Sequence, residues 1–275
     1  MKTVLEVITS TTDYFRKNSV ESPRLNIEHL LAHVLGKKRM DLYMEFDRPL
    51  SDSELDPLRA LVKRRAAGEP LQHLLGTWEF CGRTFRCDAR ALIPRSETEL
   101  LCEKILKDGP ARSFVDIGTG TGAIALTLAA EWPEAEAEAV DVSEDALALA
   151  RQNAAALALD TRVRFHQGDL LSTVEGTRDL IVANLPYIST PGIAKLSREV
   201  LRDPMLALDG GEDGLRLIER LADEAPRVLR GRLALEIGFD QSERVLALLA
   251  ARNFRDIRSD ADYQGRPRFV FAQYG

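Results

Sequence analysis

From residue 113 to the end of the chain, short runs rich in Val, Ile, Leu, Phe and Ala alternate with longer runs whose apolar residues recur at helical spacing. The strand-like runs are 113–117, 136–142, 162–166, 179–183, 232–237 and 267–272, and helical runs such as 143–157 and 215–229 lie between them. Consecutive parallel strands need a crossover, and helices that cross must cover the faces of the sheet. This half of the chain is therefore expected to be α/β, a mostly parallel sheet with helices on both faces. Ligands in such sheets bind beyond the carboxyl ends of the strands, near the point where the strand order reverses.

Residues 1–74 have a different pattern. Apolar positions recur helically at Val4, Leu5 and Ile8, and again at Leu25, Ile27, Leu30, Leu31, Val34 and Leu35. Ser22-Pro23 reads as a helix start and Gly36 as a helix end, and Ser51 opens another helix that stops before Gly68-Glu69-Pro70. A small helical bundle is expected. Residues 75–92, with Gly76, Trp78, Phe80, Gly82 and Phe85, read as a hairpin-like linker. The remainder, 93–275, forms the α/β domain. Ser96 and Glu99 fit a capping box at the start of its first helix.

Composition removes several classes of function. The net charge is −6, against the basic excess of proteins that hold nucleic acid mainly through phosphates. Arg59, Lys63, Arg64 and Arg65 form one basic stretch, read as a solvated helix face. No apolar run reaches the ~20 residues of a membrane helix, and no secretory signal is evident. Cys81, Cys87 and Cys102 form no CxxC pair and read as reduced thiols of a cytoplasmic protein, with no metal site.

Two elements carry chemistry. The first is Asp116-Ile117-Gly118-Thr119-Gly120-Thr121-Gly122, a glycine-rich loop between a strand and a helix. Gly118-x-Gly120-x-x-Ala123 also satisfies a nicotinamide-dinucleotide fingerprint. Asp116 argues against it, because a carboxylate repels a pyrophosphate and attracts the amine and sulfonium of S-adenosylmethionine. Asp141, at the end of the second strand, can accept from both ribose hydroxyls. Asp169 can accept from an adenine amino group, and Leu170 can pack on the adenine face.

The second element, Asn184-Leu185-Pro186-Tyr187, ends the strand-like run 179–183. An amide nitrogen is a poor nucleophile because its lone pair is delocalised into the carbonyl. Two acceptors aimed at its hydrogens draw it toward a tetrahedral shape. The Asn184 side-chain oxygen and the Leu185 carbonyl can be those acceptors. Pro186 stiffens the turn, and Tyr187 offers a ring for a planar substrate. Such catalysis is positioning and electrostatics, without a strong general base.

Over nearly its whole length the chain resembles the protein-(glutamine-N5) methyltransferase family, the HemK/PrmC type that modifies peptide chain release factors. The likeness lies in Gly68-Glu69-Pro70-Leu71-Gln72, in Leu92-Ile93-Pro94-Arg95 with Glu97-Thr98-Glu99, and in Asp116 to Gly122. It continues through Asp141, Asn184 to Ile188, Ala207 to Gly214 and Glu236-Ile237-Gly238. Leu185 stands where the family usually has Pro, Ser96 where Pro is common, His73 where Tyr is common and Asp203 where Glu is usual.

The resemblance implies a Rossmann-like, seven-stranded, mostly parallel methyltransferase fold with a small helical N-terminal substrate-recognition domain. It implies methyl transfer from S-adenosyl-L-methionine to the glutamine of a Gly-Gly-Gln loop, leaving S-adenosyl-L-homocysteine. Release factors are then the partner, with neither nucleic acid nor membrane. An exocyclic-amino methyltransferase acting on adenine or guanine would use the same acceptor pair and is the alternative. A nicotinamide oxidoreductase and a non-catalytic adaptor lie further away.

Overall fold

A computed structural model describes residues 2–275, which divide into two units. One comprises the residues up to Thr77 together with Ser197–Arg202. The other comprises Trp78–Leu196 and Asp203–Gly275.

The first unit is helical. It contains α1 (Val4–Lys17), α2 (Pro23–Leu35), a 3-10 turn at Arg39–Met44, α3 (Asp52–Ala66) and the short α4 (Leu71–Leu75). Thr3 and Glu6 cap α1 reciprocally, each side chain accepting from the other's backbone N–H at 3.3 and 2.8 Å. Gly36, at φ 62°, closes α2 as expected. Ser22 precedes Pro23 with φ 46° and makes no side-chain cap. Asn26 Nδ2 instead donates back to the carbonyls of Glu21 and Ser22. Ile8, Phe15, Ile27, Leu30, Leu31 and Leu42 form the buried interior.

The basic stretch is not a uniformly solvated face. Arg65 is buried, with Nε donating to Asn26 Oδ1 at 2.6 Å and Nη2 to Glu199 at 2.5 Å. The helical period turns this one cation inward, and Glu199 of the Ser197–Arg202 segment supplies its charge partner.

Next along the chain is a hairpin, β1 (Thr77–Phe80) and β2 (Arg83–Arg86), whose two turn residues Cys81 and Gly82 both have positive φ. Helix α5 (Ser96–Lys107) follows. The expected capping box does not form. The cap position is Arg95, Ser96 Oγ donates to Glu97, and Glu99 instead accepts from the Cys81 backbone N–H at 2.8 Å. A tertiary contact with the hairpin turn has taken the carboxylate that local pattern assigned to the helix end.

Next come β3 (Ser113–Ile117), α6 (Ala123–Glu131), β4 (Glu136–Asp141), α7 (Glu144–Ala156), β5 (Val163–Gln167) and β6 (Arg178–Ala183). The chain continues with α8 (Thr190–Ile193), α9 (Arg216–Glu224), β7 (Leu229–Glu236), α10 (Ser242–Ala250), β8 (Arg255–Ala261) and β9 (Pro267–Tyr274). Seven strands form one sheet in the order β5-β4-β3-β6-β7-β9-β8. All pairs through β7 are parallel, and β9 runs antiparallel to β7 and β8. Both faces are covered, which is why β3 and β6 carry apolar residues on both faces instead of alternating. Phe114 and Val182 face one core, Val115 and Ile181 the other.

One expectation fails here, and one strand was not foreseen. The helical run 215–229 stops at Glu224, a 3-10 turn containing Pro226 follows, and Leu229 already belongs to β7. Strand β8 has no apolar alternation to announce it. It is an outer strand, mostly exposed, with Ile257 as its one large apolar residue.

Candidate active site

Strand order reverses at β3, whose neighbours are β4 and β6, so the chain leaves the sheet in opposite directions beyond Ile117. A cavity of about 310 Å³ opens there. Its wall includes Gly118, Thr119, Gly120 and Thr121 of the glycine loop, and Asp141 from the end of β4. Unlike Asp116, Gly122 and Tyr187, which were expected here too, Asp169 and Leu170 after β5 and Asn184, Leu185 and Pro186 after β6 also line it. Sequence pattern had placed all of these at strand ends, and the sheet brings them together.

The glycine loop turns sharply from β3 into α6. Gly118 has φ 73°, and a Cβ there would meet the Leu185 side chain at 3.1 Å. A side chain here would crowd Leu185 as well as strain the backbone, so glycine lets the loop and the turn after β6 lie close together. Gly122, at φ 81°, stands behind the wall as the cap residue of α6.

Asp116 is also behind the wall, which corrects its expected role as a direct electrostatic contact. It is fully buried. Its Oδ2 accepts from Thr119 Oγ1 at 2.6 Å and from the Ala125 N–H at 3.1 Å, so it braces the loop against the start of α6. Burial pushes its carboxyl up to about 7, against the lowering effect of these two hydrogen bonds.

Asp141 faces the cavity. Its Oδ2 accepts from the Gly120 N–H at 2.8 Å and its Oδ1 from the Ser143 N–H at 2.9 Å. Burial raises this carboxyl too. The two bonds fix the plane of the carboxylate and leave a lone pair on each oxygen for further donors. Asp169 is exposed and ion-paired with Arg220 of α9 at 2.9 Å. Leu170 is held at φ 50° with its side chain buried.

The turn after β6 is clamped from outside. A Cβ on Gly214 would lie 2.3 Å from the Tyr187 carbonyl oxygen, so the segment 210–214 passes directly over this turn. Gln241 Nε2 donates to the same carbonyl at 2.9 Å. The Leu185 carbonyl is not drawn into these contacts. Tyr187 does not line the cavity. Its hydroxyl donates to Glu236 at 3.3 Å, and the Arg268 guanidinium lies 5.7 Å from its ring centre.

Sequence reasoning missed three parts of the site. Thr98 of α5 lines the cavity and accepts from Asn184 Nδ2 at 3.1 Å. Glu236, fully buried at the end of β7, accepts from Thr98 Oγ1 at 2.7 Å. Arg95 lines the cavity and is tied to buried Asp203 at 2.6 Å. Arg95 and Thr98 lie in the Leu-Ile-Pro-Arg and Glu-Thr-Glu stretches, which local pattern explained as a helix start, and Glu236 opens Glu236-Ile237-Gly238, which carried no local signal of a role.

Residues 6–76 match the model of the PrmC N-terminal domain, and residues 96–233 that of the methyltransferase small domain. The release factor glutamine methyltransferase of Geobacter sulfurreducens is 41% identical, over 99% of this chain and 97% of its own length. That of Chlorobaculum tepidum is 40% identical, over 94% and 93%. Among solved structures, a methyltransferase from Pyrococcus furiosus superimposes with a TM-score of 0.54 at 18% identity, covering 70% of this chain and 88% of its own, a likeness of fold. With relatives this similar along nearly the whole length, and with the Asn-Leu-Pro-Tyr turn beside the glycine loop, the chain belongs to the release factor glutamine methyltransferase family.

Proposed function

We propose that this protein methylates the side-chain amide nitrogen of the glutamine in the Gly-Gly-Gln loop of peptide chain release factors, with S-adenosylmethionine as donor. The observation that carries the reading is Asn184. It stands at the cavity wall with its Nδ2 spent on Thr98, so its Oδ1 remains available as an acceptor.

The residues at the cavity fit an adenosyl group. Asp141 offers a fixed pair of acceptors for neighbouring hydroxyls, the glycine loop allows close backbone approach, and Leu170 adds an apolar surface. When bound, S-adenosylmethionine supplies a methyl group on a positively charged sulfur, an excellent leaving group, and S-adenosylhomocysteine remains.

The protein's own contribution lies at the acceptor nitrogen. Asn184 Oδ1 and the Leu185 carbonyl accept its two hydrogens and orient its lone pair toward the methyl carbon. The carbonyl serves from Leu as it does from the Pro usual at this position. Pro186 stiffens the turn, and the Tyr187 hydroxyl ties its far end to Glu236. As carbon–nitrogen bonding replaces carbon–sulfur bonding, the amide nitrogen becomes acidic and gives its proton to water. Positioning supplies most of the rate, since effective molarity alone can contribute several kcal/mol.

The test is mass spectrometry of a purified release factor after incubation with the protein and S-adenosylmethionine. One added methyl on the Gly-Gly-Gln glutamine is expected, with Asn184→Ala lowering the rate at least ~100-fold while donor affinity holds. Full activity in that variant would overturn the mechanism.

The helical unit is assigned to recognition of the release factor, because one glutamine offers too little surface for specificity. Removal of residues 1–74 should lower transfer to intact release factor at least ~10-fold more than transfer to a short Gly-Gly-Gln peptide. Equal losses would refute this assignment. The protein works in the cytoplasm on this reading, and no helix among the described residues is long and apolar enough to cross a membrane.

A further inference from the structure

We infer that Thr98 and Glu236 are positioning residues that fix which end of the Asn184 amide faces the substrate, and so make the site selective for an amide over a carboxylate. The inference rests on the role proposed for Asn184.

The argument is one of donors and acceptors. An ionised carboxylate only accepts, and above about pH 7, where Glu236 is ionised, its Oε2 accepts from Thr98 Oγ1 at 2.7 Å. The single hydroxyl proton of Thr98 is therefore spent on Glu236. What Thr98 presents to Asn184 is lone pairs, and the one end of an amide that can meet lone pairs is its NH2. The observed contact, Asn184 Nδ2 to Thr98 Oγ1 at 3.1 Å, has this sense. Asn184 Oδ1 is then turned away from Thr98, at a wall the two residues share. The oxygen and nitrogen of an asparagine are nearly alike in size, so only such a network decides between them.

Glu236 is itself held in place. Its other oxygen accepts from the Tyr187 hydroxyl at 3.3 Å. The chain Tyr187–Glu236–Thr98–Asn184 thus links the last residue of the Asn-Leu-Pro-Tyr turn to the first through α5 and β7. Thr98 and Glu236 are buried, so water does not compete readily for these bonds.

The consequence is selectivity. A flipped Asn184 would set its oxygen against the Thr98 lone pairs and lose a hydrogen bond. Held as it is, Asn184 shows the substrate an acceptor, which suits the NH2 of glutamine and opposes the carboxylate of glutamate.

The experiment measures kcat, KM and donor affinity on the full chain with a purified release factor. Thr98→Val keeps the shape of the side chain and removes the hydroxyl. It should lower kcat at least ~10-fold with donor Kd unchanged within about twofold, and Thr98→Ser should recover most of the loss. Wild-type kcat in Thr98→Val, or no recovery in Thr98→Ser, would overturn the inference. Asn184→Ala separates the two levels. If that variant is active, the reading of Asn184 has failed. If it is inactive while Thr98→Val is fully active, only the relay has failed.

A binding measurement on the wild type stands even if Thr98→Val does not fold. A Gly-Gly-Gln peptide should bind at least ~10-fold more tightly than its Gly-Gly-Glu counterpart. Equal affinities would overturn the inference.

Discussion

Two buried carboxylates in the same sheet are handled in opposite ways. Glu138, within β4, meets arginines. Its Oε2 lies 2.6 Å from Arg178 at the start of β6, and its Oε1 lies 2.9 Å from Arg164 of β5. Glu236, at the carboxyl end of β7, has hydroxyls at hydrogen-bonding distance, from Thr98 and Tyr187. Burial pushes the Glu138 carboxyl up, but the bonds from Arg178 and Arg164 outweigh it and leave it below the usual range. Burial of Glu236 is opposed only by Thr98, Tyr187 and the more distant charge of Arg268, and its carboxyl rises to about 7. Asp116, with neutral partners at the same end of the sheet, also rises to about 7. Glu138 has its charge met by arginines, whereas Glu236 and Asp116, at the carboxyl end of the sheet, are held by neutral donors alone at hydrogen-bonding distance.

The largest expected effect tests the structural half of this contrast. Glu138→Ala leaves Arg178, itself buried, without its carboxylate. Breaking a buried pair in this way should cost about 3–5 kcal/mol of stability, read from denaturant midpoints at constant slope. A loss under about 1 kcal/mol would show that Arg178 finds other partners, and the contrast would weaken. The Glu138 contribution has the usual acidic sign. Its folded carboxyl lies below the unfolded one, so its stabilisation is present above the unfolded value and fades as pH falls through the folded one.

Glu236 has the reverse sign and gives the next effect. Its folded carboxyl, at about 7, lies above that of the unfolded chain. The folded state therefore holds a proton that the unfolded state releases. The associated stability is complete at acid pH and is lost as pH rises to about 7, a change of up to roughly 3 kcal/mol. Glu236→Gln cannot ionise. The stability difference between wild type and this variant should slope between about pH 4.5 and 7 and flatten above it. A difference independent of pH would place the Glu236 carboxyl in the ordinary range and remove it from the comparison.

How far this contrast could be read from sequence depends on where each partner comes from. The central strands and their helices were legible, because apolar periodicity is a local property and β3, β4 and β6 lie where it predicts. The strand-end residues were legible for the same reason, since a known strand end fixes where Gly118, Asp141 and Asn184 emerge. Asp116 was misjudged by one step. It lies within β3, so its carboxylate points beneath the loop it precedes. Thr98 and Asn184 are 86 residues apart, and Thr98 and Glu236 are 138 apart. No window along the chain contains such a pair. Glu99 shows the same limit, since a good local capping pattern lost to the hairpin turn. Edge strand β8 was invisible because its partner β9, not its own pattern, makes it a strand.

The smallest effect separates the two arginines that serve Glu138. Arg164 and Arg178 both donate to it, yet the Arg164 side chain is 57% exposed while that of Arg178 is 8% exposed. Water solvates the first guanidinium whether or not the pair forms, so the bond adds little beyond what solvent already gives. Arg164→Ala should cost less than ~1 kcal/mol, and its effect should shrink further in 0.5 M salt. Arg178 has no such exchange partner in solvent, which is why the burial of Glu138 depends on it. A loss from Arg164→Ala as large as that from Glu138→Ala would mean that two cations are needed to hold one carboxylate inside the sheet. The contrast with Glu236, held without any cation at hydrogen-bonding distance, would then be wider than a single ion pair makes it.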